Sequence, residues 1–151
     1  MCFFRNSFFK PVKVYTIGYE KKSLEQFIEK LQNNGIERVI DVRETPFSRR
    51  KEFSGKNIEK ALKKAGIEYV SFRELGAPKE IRKKLKENSI SFEKFAEEYR
   101  NHLNENDFLM LKILISEKVS ALMCYEADWR RCHRSILVEL LEKDGFRVIH
   151  L

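Results

Sequence analysis

Apolar positions recur with a helical period in some stretches of the chain and form short β-rich runs in others. The first helical stretch starts at Ser23, where Gln26 three residues later predicts a capping box. Its apolar stripe consists of Leu24, Phe27, Ile28 and Leu31. Three glycines each separate a helical stretch from a β-rich run: Gly35, Gly66 and Gly145. Because glycine readily takes the left-handed conformation that ends a helix, the pattern predicts repeated helix–strand units.

These changes of period predict five strands and six helices. The strands cover residues 13–19, 38–43, 68–72, 119–124 and 147–151. The helices cover residues 23–34, 57–65 and 132–143, with a helical insert of 80–87, 92–103 and 107–117 between strands three and four. Strands that alternate with helices form a mostly parallel sheet. We therefore predict a single α/β domain over residues 13–151, with helices flanking about five strands.

Composition and charge narrow the class of protein. The chain has 151 residues, 35% of them charged, and its net charge is +7. Such a charge favours an anionic small molecule or a nucleic acid as partner, although basic proteins without such a partner also exist. No apolar run approaches the about 20 residues that span a bilayer, so we predict no membrane partner. An odd count of three cysteines indicates reduced thiols and a cytoplasmic location.

The N-terminal extension, residues 1–12, contains the segment MCFFRNSFFK. Three alternatives stay open for it: an added edge strand, a dimer contact or a disordered tail.

Residues suited to ligand binding follow several of the predicted strands. Ligands of parallel sheets bind beyond the carboxyl ends of the strands, so these residues should meet in one cleft. Asp41 should face this edge or pair with Arg43. The candidate substrate-binding residues are Tyr19, Asp41, Arg43, Ser48, Arg49 and Arg134.

The richest run is residues 124–134, after the fourth strand. Cys132, His133 and Arg134 should open the last helix, whose free N–H groups favour an anion and lower a thiol pKa. Cys124 or Cys132 is then the candidate thiolate, with His133 beside it. Glu126 is the candidate acid/base, or orients an arginine such as Arg134. The alternative is structural: Cys124 ends a buried strand and Glu126 merely pairs with Arg134.

Two more specific interpretations of this run fit less well. Cys124 and Arg130 have the C-x5-R spacing of cysteine phosphatases, but the intervening YEADW carries two acidic residues where phosphate needs free backbone donors. The run also contains cysteine, histidine and carboxylate side chains, which are the residue types that bind zinc. However, neighbouring Cys132 and His133 should point to different faces of the helix, and no Cys-x-x-Cys pair is present to complete a structural zinc site. We predict no metal and no cofactor.

The loop after the second strand, SRRKEFSGK, carries basic residues around Phe53. This combination suits a phosphate backbone and a stacked base. The alternative is a solvated loop with Phe53 in the core.

From Val14 to its end, the chain resembles the family called domain of unknown function 488. The resemblance lies in TIGYE at 16–20, DVRETPFSRR at 41–50 and a C-x-E…C-H-R pattern at 124–134. Where many members have His-Ser after the first glycine, this chain has Tyr19-Glu20. The resemblance implies an α/β fold and no settled activity or cofactor. The chain is also distantly similar to rhodanese-like domains, in IDVRE at 40–44 and in the segment from residue 124. That similarity implies Cys124 as nucleophile and a helix start at Arg134 and Ser135.

These observations favour a cytosolic enzyme, a cysteine-dependent hydrolase or transferase, acting on an anionic phosphate- or nucleotide-containing substrate. The alternatives are a basic nucleic-acid-binding module without catalysis, and a cysteine-based redox or metal sensor.

Overall fold

Within the part of the chain that the structure describes, five parallel strands form a single sheet. A computed structural model describes residues 11–151; residues 1–10 of the predicted N-terminal extension lie outside the described part. The strands are β1 (Lys13–Gly18), β2 (Arg38–Asp41), β3 (Glu68–Ser71), β4 (Ser120–Cys124) and β5 (Arg147–His150). They pair in parallel in the order β3-β2-β4-β1-β5. The predicted fold class is confirmed.

Within the described residues, six α-helices flank the sheet. They are α1 (Leu24–Asn33), α2 (Gly55–Lys64), α3 (Lys79–Lys86), α4 (Phe92–His102), α5 (Glu105–Glu117) and α6 (Arg134–Lys143). The predicted capping box is present: the Gln26 N–H donates to Ser23 Oγ at 3.1 Å, and the Ser23 N–H donates to Gln26 Oε1 at 2.9 Å. The three helix-ending glycines all have positive φ, as predicted. Within residues 11–151, no helix has the length and apolarity needed to cross a membrane.

The sheet separates two apolar layers, because successive residues of a strand point to opposite faces. Val39 of β2 and Met123 of β4 pack with residues of α1 and α2. Ile40 of β2 and Leu122 of β4 pack with residues of α3 to α6. Every residue of β4 is buried. Burial on both faces explains why residues 121–124 form a continuous apolar run rather than an alternation of apolar and polar residues.

The strand order places three strand ends side by side. β4 lies between β1 and β2, although it follows β3 in the chain. Gly18 at the end of β1 pairs in register with Cys124, and Asp41 at the end of β2 pairs with Met123. The loops after β1, β2 and β4 therefore leave the sheet from neighbouring points at its carboxyl edge, where such folds bind ligands.

One predicted boundary is wrong where it affects the chemistry. The last helix begins at Arg134 rather than at residue 132, because a 3₁₀ turn at Trp129–Arg131 and an extended Cys132 come first. His133 takes the N-cap position. Cys132 therefore precedes the helix instead of lying in its first turn.

Candidate active site

A cavity of about 570 Å³ opens at the carboxyl edge of the sheet. The segments after β1, β2 and β4 line it together with α3. The residues proposed from the sequence that line it are Tyr19, Arg43, Ser48, Arg49, Cys124, Glu126 and His133. The other three, Asp41, Cys132 and Arg134, are buried behind it, and each contacts a residue that lines it.

Two cysteines meet at one wall of this cavity. The Sγ atoms of Cys124, at the end of β4, and Cys132, before α6, lie 2.8 Å apart, and both residues are buried. Cys124 Sγ also donates to Glu126 Oε2 at 3.3 Å. On the other side, His133 Nδ1 and the backbone N–H of Arg134 each lie 3.5 Å from Cys132 Sγ. Proton-exchanging groups therefore run in a row from Glu126 through both sulfurs to His133.

The orientation of His133 is set by the backbone. Its Nε2 lies 2.6 Å from the carbonyl oxygen of Val42, and a carbonyl only accepts, so Nε2 carries a proton. Nδ1 is then the ring atom that faces Cys132. When Nδ1 is also protonated, the ring is an imidazolium that donates to the Cys132 sulfur.

The surroundings give the two thiols opposite pKa shifts. Burial alone would raise the pKa of Cys132, but the hydrogen bond between the two sulfurs and the nearby His133 and Arg134 lower it well below its usual value. Burial and the adjacent Cys132 raise the pKa of Cys124 well above its usual value. The pKa of His133 rises in spite of burial, because the Cys132 sulfur and the Val42 carbonyl favour the imidazolium. The pair therefore carries its negative charge on Cys132.

Glu126 uses its carboxyl group on a cysteine rather than on an arginine. The expected contact with Arg134 exists, but Arg134 donates to the backbone carbonyl of Glu126. The Glu126 carboxylate instead accepts from Cys124. Burial, with the neighbouring Cys132, raises the pKa of Glu126. A carboxyl group with a raised pKa beside a thiol is well suited to take up and return a proton.

Gly18 makes this placement of Glu126 feasible. A Cβ at residue 18 would lie 1.8 Å from the carbonyl oxygen of Glu126, so a side chain there would displace the loop. Glu20 holds the same loop with two hydrogen bonds. Its N–H donates to Tyr125 O at 2.8 Å, and its Oε1 accepts from the Ala127 N–H at 3.0 Å. Sequence reasoning assigned Gly18 no role. The signal available was its place in TIGYE, at the end of a predicted strand.

Asp41 positions Arg43 instead of reaching the cavity. The Asp41 carboxylate is fully buried and accepts from Arg43 Nε at 2.9 Å and from its terminal nitrogen at 2.7 Å. Tyr69 donates to the same carboxylate at 2.6 Å. Arg43 also donates to the Tyr19 hydroxyl at 3.2 Å. Of the two sequence alternatives for Asp41, pairing with Arg43 is therefore correct.

Basic side chains outnumber acidic ones around the cavity, five to two. Among the described residues, Arg49 and Lys86 have no ion-pair partner, whereas Arg82 pairs with Glu44 at 3.0 Å. Arg50 donates to two backbone carbonyls. Sequence reasoning missed Arg82 and Lys86, because they lie on α3, distant in sequence from the loops that follow β1, β2 and β4.

The aromatic residues of the site divide into buried and exposed ones. Phe53 is fully buried and stacks on Tyr19 with ring centroids 4.5 Å apart. The alternative that placed Phe53 in the core is therefore confirmed. Phe47 is 69% exposed and Tyr125 46% exposed, and both line the cavity. These two rings, which the sequence did not single out, are the ones available to a ligand.

A family model described as "Domain of unknown function DUF488" matches residues 23–141. The chain belongs to this family. The matched range contains the loop after β2 and the whole of residues 124–134, so the DUF488 resemblance is confirmed. No curated protein and no solved structure matches the chain. The similarity to rhodanese-like domains stays a prediction.

The cysteines of this DUF488 protein also belong to a group of potential metal ligands. The ligand atoms of Cys124, Glu126 and Cys132 all lie within 4.8 Å of one another, and His133 Nδ1 is 3.5 Å from the second sulfur. Two thiolates bound to one tetrahedral zinc ion would be roughly 3.8 Å apart. At 2.8 Å the sulfurs are closer than that, so a zinc ion would have to separate them.

Proposed function

We propose that this DUF488 protein is a cysteine-dependent hydrolase or transferase that acts on an anionic, phosphate- or nucleotide-containing substrate. The observation that carries the proposal is the position of Cys124. Its thiol lines a predominantly basic cavity and lies 3.3 Å from the Glu126 carboxylate and 2.8 Å from Cys132. A nucleophile, a proton acceptor and cationic side chains thus share one cleft.

In this mechanism Cys124 is the nucleophile, because of the two described cysteines it is the one that lines the cavity. Its proton passes to the carboxylate of Glu126, which later returns a proton to the leaving group. The raised pKa of Glu126 makes its carboxylate a better proton acceptor than an exposed carboxylate. Cys132 and His133 form a thiolate–imidazolium pair behind the nucleophile, with the Cys132 sulfur 2.8 Å from Cys124 Sγ.

Arg49 and Lys86 are the proposed primary anion-binding groups. Neither is engaged in an ion pair within the described residues, and both line the cavity. A charge-assisted hydrogen bond to phosphate therefore costs them no existing partner. Arg43 contributes a fixed guanidinium, held by Asp41 at 2.7 Å.

The exposed rings of Phe47 and Tyr125 support a substrate with a planar group. Both lie on the lining of the same cavity as the basic residues. Base–aromatic stacking contributes about 1–3 kcal/mol per base, so a nucleotide would use both kinds of surface.

A ligand screen coupled to thiol labelling tests the proposal. ADP and inorganic phosphate are titrated while the rate of iodoacetamide labelling at Cys124 is followed by mass spectrometry. Bound anion should slow labelling, and Arg49→Ala and Lys86→Ala should each weaken ADP binding by about tenfold. Lys63→Ala, an exposed lysine on α2, is the matched control and should bind like wild type.

Turnover of nucleoside phosphates and of p-nitrophenyl phosphate is measured in parallel, with Cys124→Ser as the inactive variant. Turnover that disappears in Cys124→Ser supports the mechanism. If neither ligand slows labelling and no substrate turns over, the proposal is wrong.

Binding of nucleic acid without catalysis is the second candidate. The favouring observation is Phe47, 69% exposed, in the same cavity-lining loop as Arg49. An aromatic face beside unpaired positive charge suits single-stranded nucleic acid. Ligand protection without any turnover in the screen would favour this candidate.

A further inference from the structure

The two buried cysteines differ in what they face. Cys124 lines the cavity, whereas Cys132 lies behind it. Both are free thiols, and their sulfurs at 2.8 Å are only slightly farther apart than the about 2.0 Å of a disulfide bond. Any group that becomes bonded to Cys124 Sγ therefore has a second sulfur directly against it.

The second sulfur is surrounded by donors. His133 Nδ1 and the Arg134 backbone N–H each lie 3.5 Å from Cys132 Sγ, and Cys124 Sγ lies 2.8 Å from it. The Nε2 proton of His133 is committed to the Val42 carbonyl, so the ring faces Cys132 with Nδ1 in every protonation state. This is an environment for a thiolate, which is the attacking form of cysteine in thiol–disulfide exchange.

We propose that Cys124 and Cys132 are a redox pair that reduces small anionic disulfides, with Cys124 attacking the substrate and Cys132 resolving the adduct. The inference assigns a reaction and a substrate class to the same cleft, and it rests on the proposed function for the binding of the anion and for the roles of Cys124 and Glu126. A cavity of about 570 Å³ suits a small molecule rather than a disulfide within a folded protein.

In the first step Cys124 passes its proton to Glu126, 3.3 Å away, and its thiolate attacks one sulfur of the substrate R–S–S–R. A bond forms between Cys124 and that sulfur, and the substrate S–S bond breaks. The first thiolate R–S⁻ leaves and receives the proton from Glu126. The product of this step is a mixed disulfide on Cys124.

In the second step the Cys132 thiolate attacks the sulfur of Cys124. The Cys124–Cys132 disulfide forms, and the second R–S⁻ leaves with the proton that His133 Nδ1 had shared with Cys132. His133 ends as a neutral ring that still donates from Nε2 to Val42. The two protein thiols are oxidised by two electrons, and one substrate disulfide is reduced to two thiols.

The experiment uses the full chain with Cys2→Ser, which removes the third cysteine. The reduced protein is mixed with glutathione disulfide, an anionic probe, and the products are identified by intact mass and peptide mapping. We expect an internal Cys124–Cys132 disulfide and two equivalents of glutathione. Cys132→Ser should stop at one glutathione bound to Cys124, and Cys124→Ser should release no glutathione.

Cys132→Ala serves beside Cys132→Ser, with circular dichroism of each variant to confirm folding. A folded Cys132 variant without the Cys124 adduct would overturn the proposal, and so would a wild-type adduct that persists without the internal disulfide. Cystamine, a cationic disulfide, separates the two proposals. Glutathione disulfide should react about tenfold or more faster at low salt. Equal rates, with the internal disulfide still formed, would leave the redox pair standing and contradict the anion-binding proposal.

Discussion

Replacing Gly18 with alanine should displace the loop that carries Glu126 in the candidate site. The added Cβ would lie 1.8 Å from the Glu126 carbonyl oxygen and 2.4 Å from its carbon. Ordinary contact begins near 3.4 Å, so the oxygen must move by about 1.6 Å (3.4 minus 1.8) or the strand must yield. This movement would stretch two hydrogen bonds, from the Glu20 N–H to Tyr125 O at 2.8 Å and from the Ala127 N–H to Glu20 Oε1 at 3.0 Å.

The contact of Arg134 with the Glu126 carbonyl would be weakened together with these two hydrogen bonds. Each lost hydrogen bond costs about 1 kcal/mol, so Gly18→Ala should lower the free energy of unfolding by about 2–4 kcal/mol. Urea denaturation measures this. Displacing the Glu126 carboxylate from Cys124 also removes a nearby negative charge that raises the pKa of this thiol. Iodoacetamide reacts with the thiolate already present and does not need Glu126 as proton acceptor, so it should label Cys124 faster at neutral pH, by about tenfold for each unit by which the pKa falls.

Gly35→Ala is the matched control. Gly35 has φ of +67°, and its added Cβ would meet nothing within 4 Å. The left-handed conformation costs alanine about 1–2 kcal/mol, so this variant should lose stability and keep the wild-type labelling rate. If Gly18→Ala unfolds at the wild-type urea concentration and labels at the wild-type rate, the loop that carries Glu126 does not depend on Gly18.

Three other measurements address the charge, metal and polyanion properties of the site. In a Cys2→Ser background, ultraviolet absorbance should show that one thiolate per chain forms below about pH 8.5, the pKa of free cysteine, because the pKa of Cys132 is lowered. His133→Ala should shift the formation of this thiolate to higher pH. An unchanged titration would contradict the ion pair between Cys132 and His133. Elemental analysis of protein purified without chelator should find no stoichiometric zinc, since the sulfurs are closer than two zinc-bound thiolates; about one zinc per chain that disappears in Cys132→Ser would contradict this. Labelled single-stranded and double-stranded nucleic acids should bind the protein weakly, with an affinity that falls steeply as the salt concentration rises. If the Arg49→Ala, Arg50→Ala double variant binds them equally well, the loop after β2 is not the contact.

Local chemistry was enough to predict the secondary structure. Every predicted helix and strand lies within two residues of the observed one. Capping at Ser23, positive φ at Gly35 and the apolar run of β4 depend on residues close together in the chain. The parallel sheet follows from the alternation of strands and helices, and with it the rule that places ligands at the carboxyl edge. It was therefore predictable, before the strand order was known, that Tyr19, Arg43 and residues 124–134 lie together at this edge.

The role of each side chain at the carboxyl edge of the sheet depends on contacts between segments that are distant in sequence. The insertion of β4 between β1 and β2 brings Gly18 against Glu126, more than 100 residues later, and so directs the Glu126 carboxylate to Cys124. The same packing buries Asp41 under Arg43. Lys86 reaches the cavity only because α3 packs beside it.

Sequence spacing by itself determined which residues lie at the edge of the sheet, because a strand's direction and end are local properties. It did not determine which atoms face each other there. Those contacts arise from the order of the strands and the crossing of the loops, and both are decided by packing across the whole sheet. The 2.8 Å approach of Cys124 and Cys132, eight residues apart, belongs to this second class: the 3₁₀ turn and the late start of α6 fold the chain back onto the end of β4.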